Sequence, residues 1–189
     1  MTATPTATIV LAPIGEFEDD ILAAVADMVA SHFRRPCRRQ PLIDDIDFAW
    51  DAKRRQFHST AVLERLTAAV PADGFKIISL THHDLFIPIL THVYGEAQLG
   101  GTSCIVSTRR MAGGISTVAQ RELYLARIVK ESAHELGHTF DLRHCKDPQC
   151  LMHYCRTIAD VDTKLFQFCR YCRVLIEDQM KKIDHAFRI

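Results

Sequence analysis

Apolar residues recur along this chain at two different periods, and the alternation between the periods predicts the order of elements. Ala7 to Pro13 is a short apolar run closed by proline, which predicts a first strand. Glu16, Glu18, Asp19 and Asp20 then place negative charge where a helix N-terminus favours it. Ile21, Leu22, Val25, Met28 and Val29 continue at helical spacing to about His32. Pro41 to Asp51 holds several acids and the only Trp, and reads as a loop or edge segment. Phe57 to Val70 predicts a second amphipathic helix, with Val62, Leu63, Leu66 and Val70 on one stripe. Asp73-Gly74 marks a turn ahead of a buried strand, Phe75 to Leu80, and Asp84 to Leu90 is an apolar run interrupted by Pro88. Gly100-Gly101 leads into Thr102 to Thr108, whose β-branched residues predict another strand.

A long helix is predicted from about Ser116 to Phe140. Leu125, Val129, Ala133, Leu136 and Phe140 recur every three or four residues and form one apolar stripe. At about 100° per residue, that stripe lies opposite His134 and His138, so one face packs on the core while the other presents imidazoles. A last helix is predicted within Asp160 to His185, starting near Asp162. It would have Leu165, Phe168, Cys172, Leu175 and Ile176 inward and Cys169 and Cys172 projecting from it.

With 189 residues, 48% of them hydrophobic, the chain can bury a core of its own, and the length predicts a single domain over 1–189. The 23 basic and 23 acidic residues cancel, leaving no field to attract nucleic acid or an anionic membrane. Arg34, Arg35, Arg38 and Arg39 around Cys37 therefore read as a solvated surface. No apolar run is long enough to span a bilayer, and the N-terminal stretch lacks the basic region of a leader. The expectation is a cytoplasmic monomer, a compartment in which seven cysteines point to metal rather than to disulfides.

The chemistry concentrates between Ala133 and Cys155. His134, Glu135 and His138 have the spacing H-E-x-x-H. On a helix, residues four apart share a face, so both imidazoles reach one metal ion while Glu135 sits beside it. A water on zinc in that place has its pKa lowered to near 7, and the glutamate can take its proton. Catalytic zinc usually has three protein ligands, and His144 is the candidate third, provided the chain turns back between it and His138. Further on, Cys145, Cys150, Cys155, Cys169 and Cys172 offer five thiols for a four-cysteine site. By spacing alone, Cys150 with Cys155 is as acceptable as Cys145 with Cys150. His82 and His83 have no partner by spacing.

With His134, Glu135, His138, Asp141 and His144, then Met152, the chain resembles the metzincin proteases, whose pattern is H-E-x-x-H-x-x-G-x-x-H followed by a methionine turn. Asp141 stands where that family has glycine. The turn needs φ > 0, which Asp tolerates at some cost. The series C-x4-C-x-M and then C-x2-C narrows the resemblance to the archaemetzincins, and V-Y-G-E-A from Val93 with S-C-I-V-S-T-R-R-M is similar to the strand region of that family.

The resemblance implies a metzincin-like α+β fold, with a mixed β-sheet packed with helices, an active-site helix and a small C-terminal subdomain. Residues 1–140 would form the sheet-and-helix part and 141–189 the C-terminal part. It implies two zinc ions, one catalytic on His134, His138 and His144, the other structural on Cys145, Cys150, Cys169 and Cys172. Met152 would be the turn methionine beneath the metal. Tyr154 resembles the astacin-type tyrosine that stabilises an oxyanion, but the reading favoured for it is a buried aromatic with a satisfied hydroxyl. His153 is expected to be exposed. The implied activity is peptide-bond hydrolysis by a zinc-bound water with Glu135 as general base, on a peptide or protein substrate. The peptide would add to an edge strand, for which Thr102 to Thr108 is the candidate. The competing readings are a catalytically inactive, zinc-braced protein-binding module and a nucleic-acid-binding zinc module, which the zero net charge disfavours.

Overall fold

Strand β1 (Thr8–Ile14) shows why the first apolar run is continuous rather than alternating. In the computed structural model, which describes residues 7–113 and 115–186, β1 is an inner strand with helices on both sides. Ile9 and Leu11 enter one apolar core together with α1 (Asp19–Phe33), while Val10, Ala12 and Ile14 enter a second core with α2 (Ser59–Ala68). A strand buried on both faces has no polar side to alternate with. The first six residues, part of the stretch read for a leader, lie outside the described residues.

Five strands form the main sheet. β1 lies between β2 (Cys37–Arg39) and β5 (Gly74–Thr81), both parallel to it. β5 pairs in parallel with β8 (Ser103–Ser107), and β7 (Gly95–Ala97) closes the sheet antiparallel to β8. A small second sheet joins β3 (Trp50–Asp51), β4 (Gln56–His58) and β6 (Leu85–Phe86). The long helix α3 (Val118–Thr139) crosses the face that α1 also covers. Its start is set by a capping box: the Thr117 hydroxyl accepts from the Gln120 amide at 3.2 Å and the Gln120 side chain accepts from the Thr117 amide at 3.0 Å. The fold is the mixed α+β architecture expected. No helix among the described residues is long and apolar enough to cross a membrane.

Five expectations need correction. The strand at Thr102 to Thr108 is paired on both sides, so the edge strand at that end of the sheet is β7. The second helix begins at Ser59, because Phe57 pairs across to Trp50 and Leu85. The arginines are not simply a solvated surface: Arg35 is buried and paired with Asp184 at 2.7 Å, while Arg38 and Arg39, on β2, pair with Asp73 and Asp19. The last helix is two helices, α4 (Ile158–Thr163) and α5 (Arg170–Ala186). A second capping box, Thr157 with Asp160, starts α4, and Lys164 leaves it in extended conformation to bury its ammonium. Leu165 and Leu175, assigned inward by their spacing, are exposed, whereas Phe168, Cys172 and Ile176 are core. The α3 face that presents the imidazoles is opposite the apolar stripe, and His134 and Glu135 on it are themselves buried.

Candidate metal centres and cleft

Helix α3 delivers His134 and His138 one turn apart, and the chain then reverses. Asp141 adopts φ +65°, the left-handed turn that its position requires. The Asp141 and Gly100 amides both donate to the His138 carbonyl at 2.9 Å, and the Leu142 amide donates to that of Gly137 at 3.2 Å. This closes the helix and returns His144 to within reach of the other two histidines. One ligand atom from each of His134, His138 and His144 lies within 4.8 Å of the others. His144 is the most exposed of the three.

The tautomers follow from the partners. Nδ1 of His134 donates to the Leu151 carbonyl at 2.9 Å, and Nδ1 of His138 donates to the Leu142 carbonyl at 2.6 Å. A carbonyl only accepts, so each proton sits on Nδ1 and each Nε2 keeps its lone pair. The two Nε2 atoms face one another at 3.2 Å. Two lone pairs at that distance repel unless a cation lies between them. Tetrahedral zinc, with Zn–N of about 2.0–2.1 Å, sets its nitrogens roughly 3.3 Å apart. The donor set therefore fits zinc. Burial, and then the Lys164 charge, hold His134 well below the usual histidine range. Burial brings His138 down to about 4, partly opposed by its bond to Leu142. Both are thus neutral, as ligands must be.

Glu135 lines the same cleft, about 840 Å³ in volume, with Glu131, Tyr94, Glu96 and Tyr154. Burial, then the neighbouring Glu131 carboxylate, push the Glu135 carboxyl well above the usual range, with Lys164 opposing. Tyr154 is not the buried aromatic favoured from sequence. It is 43% exposed, with its ring 5.0 Å from that of His144. His153, expected on the surface, is half-buried and its Nδ1 donates to the Cys145 carbonyl at 3.0 Å.

A second cluster lies next to the first. Sulfur atoms of Cys145, Cys150, Cys169 and Cys172 all fall within 4.8 Å of one another, while Cys155 stands apart on the cleft wall. The Cys145 and Cys169 sulfurs are 3.8 Å apart, the edge of a tetrahedron whose Zn–S bonds are about 2.3 Å. The Cys169 amide donates to the Cys150 sulfur at 3.3 Å. Burial pushes the Cys150 and Cys172 thiols up, so taking up a cation there must release protons. Cys37 lies in neither cluster, and burial raises its thiol to about 11. His82 stacks on Phe17 with ring centres 4.0 Å apart and is likewise outside both.

Met152 is wholly buried against the underside of α3. A β-carbon at Gly137 would come within 2.7 Å of its sulfur, so the helix carries glycine where the methionine seats. Neither this seat nor the pair Glu131–Lys164, joined at 2.6 Å, was read from the sequence. Glu131 could have been found, because four residues before Glu135 places it on the same helix face. Nothing local marks Lys164.

These features agree with what is known of other chains. Residues 10–178 match the model of peptidase family M54. An archaemetzincin of Methanopyrus kandleri is 36% identical over 136 residues, 72% of this chain and 74% of that one. Another, of Methanocaldococcus jannaschii, is 30% identical over 172 residues, 90% of this chain and 93% of its own. The crystal structure of the Methanopyrus kandleri archaemetzincin superposes with a TM-score of 0.80 at 29% identity, covering 94% of this chain and 97% of that chain. A zinc-dependent peptidase of Methanocorpusculum labreanum superposes at 0.79 with 28% identity, covering 89% and 99%.

Proposed function

This chain belongs to peptidase family M54 and is a zinc metallopeptidase, and from that premise we propose that it cleaves peptide bonds with Glu135 as general base. The observation that carries this is the pair of bare Nε2 atoms of His134 and His138, 3.2 Å apart beside a buried carboxylate. His134, His138 and His144, which line the cleft, would hold the catalytic zinc. When bound, the ion supplies Lewis acidity, lowering the pKa of water to near 7 and polarising a carbonyl.

The side chains do the rest. Glu135, itself buried, accepts a proton from the attacking water and returns it to the leaving amine. Tyr154, half-exposed over His144, is the hydroxyl we assign to the developing oxyanion. The free edge of β7 is our candidate for binding the substrate as an added strand, since β8 fills its other side.

Cys145, Cys150, Cys169 and Cys172 are assigned to a second, structural zinc, with Met152 as the turn methionine beneath the first. We read 1–189 as one peptidase domain, with 1–140 and 141–189 as its two parts. In support, Phe33, Phe140, Phe168 and Ile176 share one core. A cytoplasmic monomer acting on peptides or proteins remains our reading, in keeping with four converging thiols that form no disulfide.

The test is Glu135→Gln. Zinc content should remain at about two ions per chain, while cleavage of a peptide library is lost. Cleavage at the wild-type rate overturns the assignment of the base. Absence of cleavage by the wild-type chain, with both sites filled, would instead favour a zinc-braced binding module.

A further inference from the structure

The Glu135 carboxylate does not stand free in the cleft, because its stem lies against the backbone of the edge strand. The contact is at Gly95, the first residue of β7. A β-carbon at position 95 would lie 2.5 Å from Cγ and 2.9 Å from Cδ of Glu135, and 2.8 Å from the Ile105 carbonyl oxygen on β8. Real β-carbons essentially never come this close, so any side chain there must displace its neighbours. Here φ > 0 is not the reason for glycine, since Gly95 is not among the residues with positive φ. The reason is space. Gly95 is held in register, opposite Val106 on β8, and the Ser107 amide donates to the adjacent Tyr94 carbonyl at 2.7 Å. The strand therefore cannot easily retreat from Glu135. On the other side, the Glu135 stem springs from the buried C-terminal half of α3, between His134 and Leu136, which are buried too.

We infer that Gly95 is a positioning residue: its missing side chain forms the notch that fixes the Glu135 carboxylate, and with it the edge strand, at one distance from the histidine cluster. This rests on the reading of Glu135 as the base. The notch lets β7 approach the base closely, so that a substrate strand added to its outer edge would lie along the cleft beside Glu135. A methyl group at 95 would press on the Glu135 stem and the Ile105 carbonyl, the groups nearest to it, and would push the carboxylate aside.

Gly95→Ala, prepared as the zinc-loaded full chain, should keep its zinc and nearly its KM while kcat falls about a hundredfold, the scale of a misplacement near 1 Å. A variant with wild-type kcat overturns the inference. A second measurement does not depend on turnover. The loss of thermal stability caused by Gly95→Ala is compared in the wild-type and Glu135→Ala backgrounds. Removing the Glu135 stem should relieve most of the loss, and a Gly95→Ala chain that folds only with Glu135→Ala also supports the notch. An equal loss in both backgrounds, or failure to fold in both, overturns it and assigns the glycine to the Ile105 carbonyl instead. If Glu135→Gln proves active, the role of the base falls, while the stability coupling still reports on the contact.

Discussion

His144 and Cys145, joined by one peptide bond, serve different clusters: His144 turns to His134 and His138, and Cys145 to Cys150, Cys169 and Cys172. The strand-like pairing of Cys145 with His153, and the Cys145 amide donating to the Met152 carbonyl at 2.8 Å, fix that divergence. The third histidine is exposed, its ring set against those of His134, His138 and Tyr154. Its place depends on what holds its neighbour.

Cys169→Ser should therefore weaken zinc at the histidine cluster as well as at the thiols. We expect roughly ten- to a hundredfold weaker binding there, the usual cost of losing an outer support. Competition with a chromophoric chelator would read both sites. Unchanged affinity at the histidines would show that the two clusters are independent.

Asp141→Gly should stabilise the chain. Asp141 holds φ +65°, and glycine adopts the left-handed region without the β-carbon penalty. The gain is about 0.5–1 kcal/mol, offset in part by the freer unfolded chain. Urea unfolding of the zinc-free protein measures it; a lower midpoint would mean that the Asp141 side chain contributes more than its backbone strain costs.

Lys164→Met should be costly. Both Lys164 and Glu131 are buried, and their 2.6 Å ion pair joins the end of α4 to the middle of α3, beside the more exposed pair Arg127–Asp162. Removing the ammonium leaves a buried carboxylate uncompensated, worth about 3–5 kcal/mol. The double variant Glu131→Leu with Lys164→Met should recover most of this. No recovery in the double variant would indicate that packing around Lys164, and not charge pairing, carries the loss.

Lys76 should give stability an alkaline dependence. Burial lowers its pKa to about 8 although its ammonium donates to the Thr139 carbonyl at 2.8 Å, at the C-terminus of α3. Between about 8 and the unfolded value near 10.4, the unfolded chain binds the extra proton. Stability from this group thus rises with pH across that window and is flat below it. Subtracting the profile of Lys76→Met isolates the slope. A difference that is flat or falls from pH 8 to 10 would show that Lys76 keeps its proton in the fold.

What the sequence by itself determined is local. The spacing of His134, Glu135 and His138 sets them on one helix face whatever surrounds the helix, because 3.6 residues per turn is a property of the backbone. The strand at Thr8–Ile14 and the helices α1 and α3 are equally local, written in apolar periods and caps. Even the left-handed turn at Asp141 could be anticipated from its place in the motif. What only the tertiary structure decided depends on distant pairs. Cys145 rather than Cys155 joins the thiol cluster because the chain crosses back from α4 and puts Cys169 3.8 Å from Cys145, a matter no spacing rule settles. Sheet order made β7, not β8, the edge strand beside the cleft, and Lys164 ended a helix that its apolar pattern would have continued. Glu131 and Lys164, 33 residues apart, and Gly95 and Glu135, 40 apart, meet only once the sheet and α3 are packed. Periodicity reports which face of an element is apolar; it carries no information on which distant group that face will meet.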